Sequence, residues 1–303
     1  MRRGWLKGVF AGLSLLPIAT MTGCLYHTRK LQTPTAPSMV KNADAAQLVA
    51  SINSNYESIR SLSATVDLQA SVGGTRKGVV TDYTSFRAFI LLQKPEMLRV
   101  LGLVPVIRTQ AFDLASDGAN FKLLIPSKNE AVVGKNTVTT KSPNALMNLR
   151  PNLFFDAMLI REIGPEDQVI LTTDSTVSQD PKTKKWFEER DYLLSIVEEK
   201  GQAKGASGVR ELIPKRVIRF NRESLQPIEQ DIYDQDGAIE TQTLYGPLQP
   251  FGAAKFPGTV TIKRPLEEYQ IVLTVQKLVL NQPLADDQFE LKIPEGVTVK
   301  TVD

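Results

Sequence analysis

The chain changes its hydrophobic period several times. Ala45, Leu48, Ile52, Tyr56 and Ile59 recur at spacings of three and four, which predicts an amphipathic helix with one apolar stripe. Asn42 reads as its N-cap and Asp44 as a first-turn acid. The helix is expected to end near Arg60, where a cation suits the negative end. From Leu62 the period falls to two. Leu62, Ala64, Val66, Leu68 and Ala70 alternate with polar residues up to Gly73-Gly74, a half-buried strand running into a turn. Further strands are predicted over 79–93, 97–103, 106–115, 121–125 and 131–133. Lys94-Pro95, Val104-Pro105, Asp117-Gly118 and Pro126-Ser127 separate them, dipeptides that favour turns.

A helical period returns once. Ser142 before Pro143 has the form of an N-cap followed by proline at the first helical position. Ala145, Leu146, Leu149, Leu153, Phe154, Ala157, Met158 and Ile160 follow at helical spacings. Pro151 should break or kink this stretch. Strands are then predicted over 169–177, 186–197, 214–220, 227–233, 238–245, 259–263 and 269–280. Asp180-Pro181 and Asp236-Gly237 mark turns, and 201–208 (GQAKGASG) is a flexible loop. Ile271, Leu273 and Val275 alternate with Val272, Leu278 and Leu280, so the last strand is apolar on both faces. The fold class is mainly β with helices (α+β): a long, curled antiparallel sheet with two or three helices. One sheet face would meet the helices and the other a second layer, a lumen or a ligand.

The first 42 residues have no such pattern. Residues 1–8 are basic, and 9–20 (VFAGLSLLPIAT) are apolar but too short to span a bilayer, which needs ~20 residues. Met21-Thr22-Gly23-Cys24 follows, with the chain's one cysteine. Small residues before a cysteine resemble the lipobox of bacterial lipoproteins, with Met21 in place of the usual Leu. That resemblance implies cleavage before Cys24 and lipidation of its sulfur. The organisation expected is a signal peptide over 1–23, a lipidated Cys24 with a flexible tether over 24–42, and one domain over 43–303. Leu25 after the cysteine resembles the outer-membrane default, so the anchored protein is expected in the cell envelope, in the outer membrane facing the periplasm.

Composition narrows the function. Removing 1–23 from the 303 residues takes three of 36 basic side chains and none of the 33 acids. The remaining 280 residues have a formal charge of zero, which argues against a nucleic-acid partner. One cysteine and one histidine, His27, lie outside the periodic region. They leave no disulfide, no Cys-rich or His-pair metal site and no Cys/His dyad in the domain. Ser38-x-x-Lys41 matches a Ser-Lys nucleophile spacing but sits in the tether with none of the accompanying motifs. Glu188-Glu189, Glu267-Glu268 and Asp286-Asp287 are read on strands, where neighbours point to opposite faces and cannot oppose each other across a substrate. Enzymatic activity and cofactors are therefore not expected. Lys182-Thr183-Lys184-Lys185 and Arg76-Lys77 are cation clusters at turns, either solvated tips or contacts for anionic head groups.

Four stretches in order resemble the LolA/LolB-like (LppX-like) lipoprotein-carrier family, over roughly 43–299. They are the helix running into a strand at 48–68; Lys94-Pro95, Leu98-Arg99-Val100, Asp117-Gly118 and FKLLIP at 121–126; the helical stretch after Ser142; and an ending with Phe256-Pro257, 259–263, 273–280, Asn281, Phe289, Pro294 and Gly296. The resemblance implies an incomplete β-barrel lidded by helices over an apolar cavity for lipid or lipoprotein acyl chains. The implied partners are lipids or acylated lipoproteins, a membrane reached through the anchor, and a carrier protein. Candidate cavity residues are Leu48, Ile52, Leu153, Phe154, Met158, Ile271, Leu273 and Val275; the five on the helices read as core first, and some would serve both roles. Leu103 and Val104 match an exposed apolar loop tip of the membrane-anchored member, or else a bent hairpin packed into the core. The alternative function is a non-enzymatic regulatory or structural envelope lipoprotein that binds protein or senses lipid with the same fold.

Overall fold

The structure, a computed structural model, describes residues 33–36, 39–104, 109–137, 149–180, 182–199 and 211–302. Cys24, His27, Ser142-Pro143 and the loop at 201–208 lie outside the described residues.

Helix α1 spans Ala45–Ser58. Its N-cap is Asp44 rather than Asn42. The Asp44 carboxylate accepts from the Gln47 N–H at 2.8 Å, and the Gln47 side chain accepts from the Asp44 N–H at 3.0 Å. This reciprocal capping box satisfies two donors. Asn42 would place Ala45 at the answering position, and Ala45 has nothing to return. Asn42 instead accepts from Arg222.

Strand β1 (Ser61–Gly74) buries Leu62, Ala64, Val66 and Leu68 and turns Thr65 and Asp67 to the other face. The expected strand at 79–93 is two strands, β2 (Val79–Asp82) and β3 (Phe86–Gln93). Both pair with β1, along different parts of its length. Then follow β4 (Met97–Leu103), β5 (Gln110–Ser116), β6 (Asn120–Ile125) and β7 (Glu130–Lys135). Helix α2 spans Pro151–Met158. Pro151 starts this helix rather than kinking one, because a missing N–H costs nothing at the first position.

The remaining strands are β8 (Gln168–Gln179), β9 (Trp186–Glu199), β10 (Leu212–Asn221), β11 (Pro227–Tyr233), β12 (Ile239–Tyr245), β13 (Leu248–Phe251), β14 (Ala254–Pro257), β15 (Thr259–Arg264), β16 (Tyr269–Leu280) and β17 (Thr298–Val302). Fifteen strands form one sheet in the order β17-β7-β6-β5-β4-β3-β1-β16-β15-β12-β11-β10-β9-β8, with β2 beside β1. The sheet is open: among the described residues its end strands, β17 and β8, have one neighbour each. The expectation of a purely antiparallel sheet is corrected at one edge, where β17 pairs parallel to β7. The β13–β14 hairpin forms a separate two-stranded sheet that the pattern did not predict. Of the acidic pairs, only Glu188-Glu189 lies on a strand. Glu267-Glu268 occupies the turn before β16, and Asp286-Asp287 a 3-10 turn.

Burial divides into three clusters. The largest joins α2 to one face of β1, β3–β6, β15 and β16, with Phe121, Phe154 and Phe155 fully buried. The second packs Leu48 and Ile52 of α1 on Leu194 and Ile196 of β9 and on Ile218 and Phe220 of β10. The third joins Ala115, Leu124 and Ala131 to Leu291 of the C-terminal segment. Each helix therefore covers its own part of the same sheet.

Candidate functional site

The core face of β1 runs past its cover. Leu62 to Leu68 are at most 3% exposed, whereas Ala70 and Val72, next on the same face, are half-buried. An apolar cavity of about 180 Å³ opens at this step. Leu68, Ala70 and Val72 of β1, with Phe86 of β3, Phe112 of β5 and Ile271 of β16, line it from the sheet, and Phe154 lines it from α2. Phe86 and Phe112 meet edge to face, with centroids 6.1 Å apart and planes at 80°, the arrangement that aromatic quadrupoles favour. Gly102 lies between them: a Cβ there would come within 2.7 Å of the Phe112 ring and 2.8 Å of the Phe86 ring.

One lining residue carries a buried polar group. Tyr269 lines the cavity, and the Tyr269 hydroxyl is buried with no hydrogen-bond partner among the described residues. Burial raises its pKa well above the ordinary tyrosine range, so near neutral pH it is a protonated donor. Arg264, opposite Tyr269 in the strand register, donates to Thr241 at 2.9 Å, Glu240 at 3.1 Å and Glu267 at 2.6 Å. Its Nε has no partner among the described residues. An apolar pocket with this lining can hold a hydrocarbon chain.

A second cleft of about 600 Å³ lies between α1 and the β13–β14 hairpin. Ser51, Asn55 and Lys255 share its wall with Ile52, Met158 and Phe256, so it suits a hydrocarbon chain less well.

The loop after α2 is held by charge. Arg161 pairs with Asp156 and, at 2.6 Å, with Glu96. Arg216 of β10 donates to the carbonyls of Arg161 and Glu162 at 2.9 and 3.1 Å. Burial raises the Asp156 carboxyl in spite of the guanidinium beside it.

The residues singled out from sequence are dispersed. Phe154 and Ile271 line the apolar cavity, and Ile52 and Met158 line the second cleft. Leu48, Leu153, Leu273 and Val275 are buried in the packed clusters and line neither. Leu103 and Val104 are half-buried at the end of β4, where the Val104 N–H donates to the Thr109 carbonyl at 2.7 Å. Residues 105–108, and with them Pro105 and Val106, lie outside the described residues. Sequence reasoning missed Val72, Phe86, Phe112 and Tyr269 as cavity residues. Among the described residues no group of three or more His, Cys, Asp or Glu side chains could hold a metal ion, and no helix is long and apolar enough to cross a membrane.

The site thus belongs to a mainly β protein with an open sheet, two described helices and an apolar cavity beneath one of them. No family model and no curated protein matches the sequence. Among solved structures, the chain is similar to a LolA superfamily protein from Nitrosomonas europaea, with 13% identity over 82% of this chain and 99% of that one and a TM-score of 0.48. It is also similar to a DUF1329 family protein from Desulfovibrio piger, with 13% identity over 81% and 95% and a TM-score of 0.47. A third, described as an outer membrane lipoprotein-sorting protein domain from Vibrio parahaemolyticus, has 12% identity over 81% and 97% and a TM-score of 0.46.

Proposed function

We propose that this chain is an envelope lipoprotein, anchored through a lipidated Cys24, that binds a lipid or lipoprotein acyl chain without covalent chemistry. The observation that carries the reading is the apolar cavity under α2, whose wall continues into the half-buried Ala70 and Val72. Its volume of about 180 Å³ is below the ~300–1,000 Å³ usual for ligand pockets. It therefore holds part of a chain, and α2 acts as a lid that shifts to admit more. Burying a methylene contributes ~0.8 kcal/mol, so a long chain offsets the cost of moving the lid. Leu103 and Val104, at the end of β4, assist transfer to the membrane.

Uptake of a fluorescent fatty-acid analogue by the chain from residue 24 onward, with Cys24→Ser, tests the cavity. Saturable uptake lost in Ala70→Trp is the expected result. Absence of uptake would put the regulatory or structural reading in front. The anchor is tested separately: Cys24→Ser should release the protein from membranes washed with carbonate. For the transfer loop, Leu103→Glu with Val104→Glu should reduce acyl transfer to vesicles while leaving uptake intact.

A further inference from the structure

The segment before α1 is docked on the body at two places. Thr35 forms a parallel bridge to β9: its N–H donates to the Trp186 carbonyl at 2.9 Å, and its carbonyl accepts from the Glu188 N–H at 3.0 Å. Further along, the Lys41 N–H donates to the Arg222 carbonyl at 2.7 Å, and Arg222 returns a bond to Asn42 at 2.8 Å. The parallel direction fixes which way 33–36 run. β9 begins at Trp186, next to the β8–β9 turn, and runs away from it. Residues 33–36 therefore run away from that turn as well. Eleven peptide units separate Cys24 from Thr35, a reach of at most about 40 Å.

The turn itself is charged and apolar at once. Lys182, Lys184 and Lys185 are exposed, and no acidic side chain pairs with them among the described residues. The acids nearby have other partners. Asp180 accepts from the N–H groups of Lys182 and Thr183 at 2.8 and 2.6 Å. Glu188 is bonded to Arg190 and Ser175, and Glu189 to Ser178. Beside the lysines, Trp186 is 39% exposed and Val177 49%. The register Val177↔Glu188 and Gln179↔Trp186 puts the two apolar side chains on one face of the hairpin. Lysines beside an exposed tryptophan match the two layers of a bilayer interface, anionic head groups over the belt where indole rings settle.

We infer that the tip of the β8–β9 hairpin is a docking surface for an anionic bilayer, placed against the membrane by the short tether that Thr35 pins beside it. The inference rests on the lipid-anchor reading for orientation, and adds to it a contact made by the folded domain. Docking then leaves the body in one orientation rather than free to tumble on the ten residues between Cys24 and Thr35.

Trp186 makes the test direct, since the other tryptophan, Trp5, is removed with 1–23. The chain from residue 24 with Cys24→Ser keeps every described contact, all of which lie within 33–302. Its emission is followed on titration with phosphatidylglycerol–phosphatidylcholine vesicles and with phosphatidylcholine alone. The expected result is a shift to shorter wavelength, with quenching by brominated acyl chains, on the anionic vesicles only. Lys182→Glu, Lys184→Glu and Lys185→Glu together should weaken partitioning at least about tenfold, with fatty-acid uptake unchanged as the control for folding. No emission change on anionic vesicles, an equal change on neutral ones, or full partitioning by the charge-reversed variant overturns the inference. Loss of fatty-acid uptake with the Trp186 response intact would sink the cavity reading alone. Unmodified Cys24 in the cell would sink the anchor alone.

Discussion

Arg99 of β4 grips Asp113 of β5 with two parallel hydrogen bonds, Nε to Oδ1 at 3.1 Å and Nη2 to Oδ2 at 2.8 Å. The Asp113 side chain is 1% exposed, so the pair is taken out of water on its acidic side. The third guanidinium nitrogen donates to the Gln288 carbonyl at 3.0 Å, which ties the C-terminal segment to the back of the sheet. Removing Arg99 leaves the Asp113 carboxylate buried and without its partner, a loss of ~3–5 kcal/mol. Arg99→Ala should therefore fall by that much in urea unfolding, and Asp113→Ala by less, because Arg99 is 25% exposed and keeps its bond to Gln288. Arg99→Met with Asp113→Leu should recover most of the loss, because a packed apolar pair needs no partner.

Asp231 is expected to make the protein less stable as pH rises. Burial, with Glu229 beside it, raises its pKa from 3.8 to about 6 in the folded state. The folded form thus holds the proton more tightly than the unfolded chain. This group's stabilising contribution is complete below about pH 4 and is lost as pH rises through about 6. Asp231→Asn should match the native chain at pH 4 and exceed it at pH 8. The side chain is only partly buried, so the gain is on the order of 1 kcal/mol. Unfolding curves at the two pH values check both parts.

Gly102 is expected to resist even the smallest substitution. Its neighbours are the two rings of the cavity wall, and Gly102→Ala must push them apart. Overpacking of this kind costs ~1–3 kcal/mol. The same displacement narrows the cavity, so thermal unfolding and fatty-acid uptake should fall together.

Ala70 and Leu62 are expected to separate binding from stability. Ala70→Trp adds its ring to a half-buried wall, so uptake should vanish while stability changes by less than ~1 kcal/mol. Leu62→Ala removes packed atoms from a site 0% exposed and away from the cavity and should cost ~2–5 kcal/mol. Parallel urea titrations with and without the probe distinguish the two.

Much of the sheet was readable from residues alternating between turn dipeptides. Met97–Leu103, Pro227–Tyr233 and Tyr269–Leu280 have the bounds that alternation assigned them. β17 was missed because five residues pairing with a strand over 160 positions away leave no local trace. The capping residue of α1 was misjudged because Asn42 was weighed without the residue three positions on. The cavity was the least readable part. Alternation shows that Val66 and Ala70 share a face, but partners more than 80 residues away, α2 among them, decide that one is packed over and the other opens on a lumen. Leu48 and Ile52 form a helix stripe as expected, yet the part of the sheet beneath that stripe is a matter of topology. It is β9 and β10, away from the apolar cavity.

The pairing of β1 with β16 bears on how the molecule comes to exist in time. These two strands are neighbours near the middle of the sheet, with Leu62 opposite Leu280 and Val72 opposite Tyr269. About 200 residues must be made between the first and the second. A chain emerging from its N-terminus holds the apolar face of β1 without this neighbour until almost all of it is out. Such distant closure makes folding slow, and a premature stop anywhere before residue 269 leaves the sheet split along its middle. The two halves of the sheet are thus joined only by a strand from the last eighth of the chain.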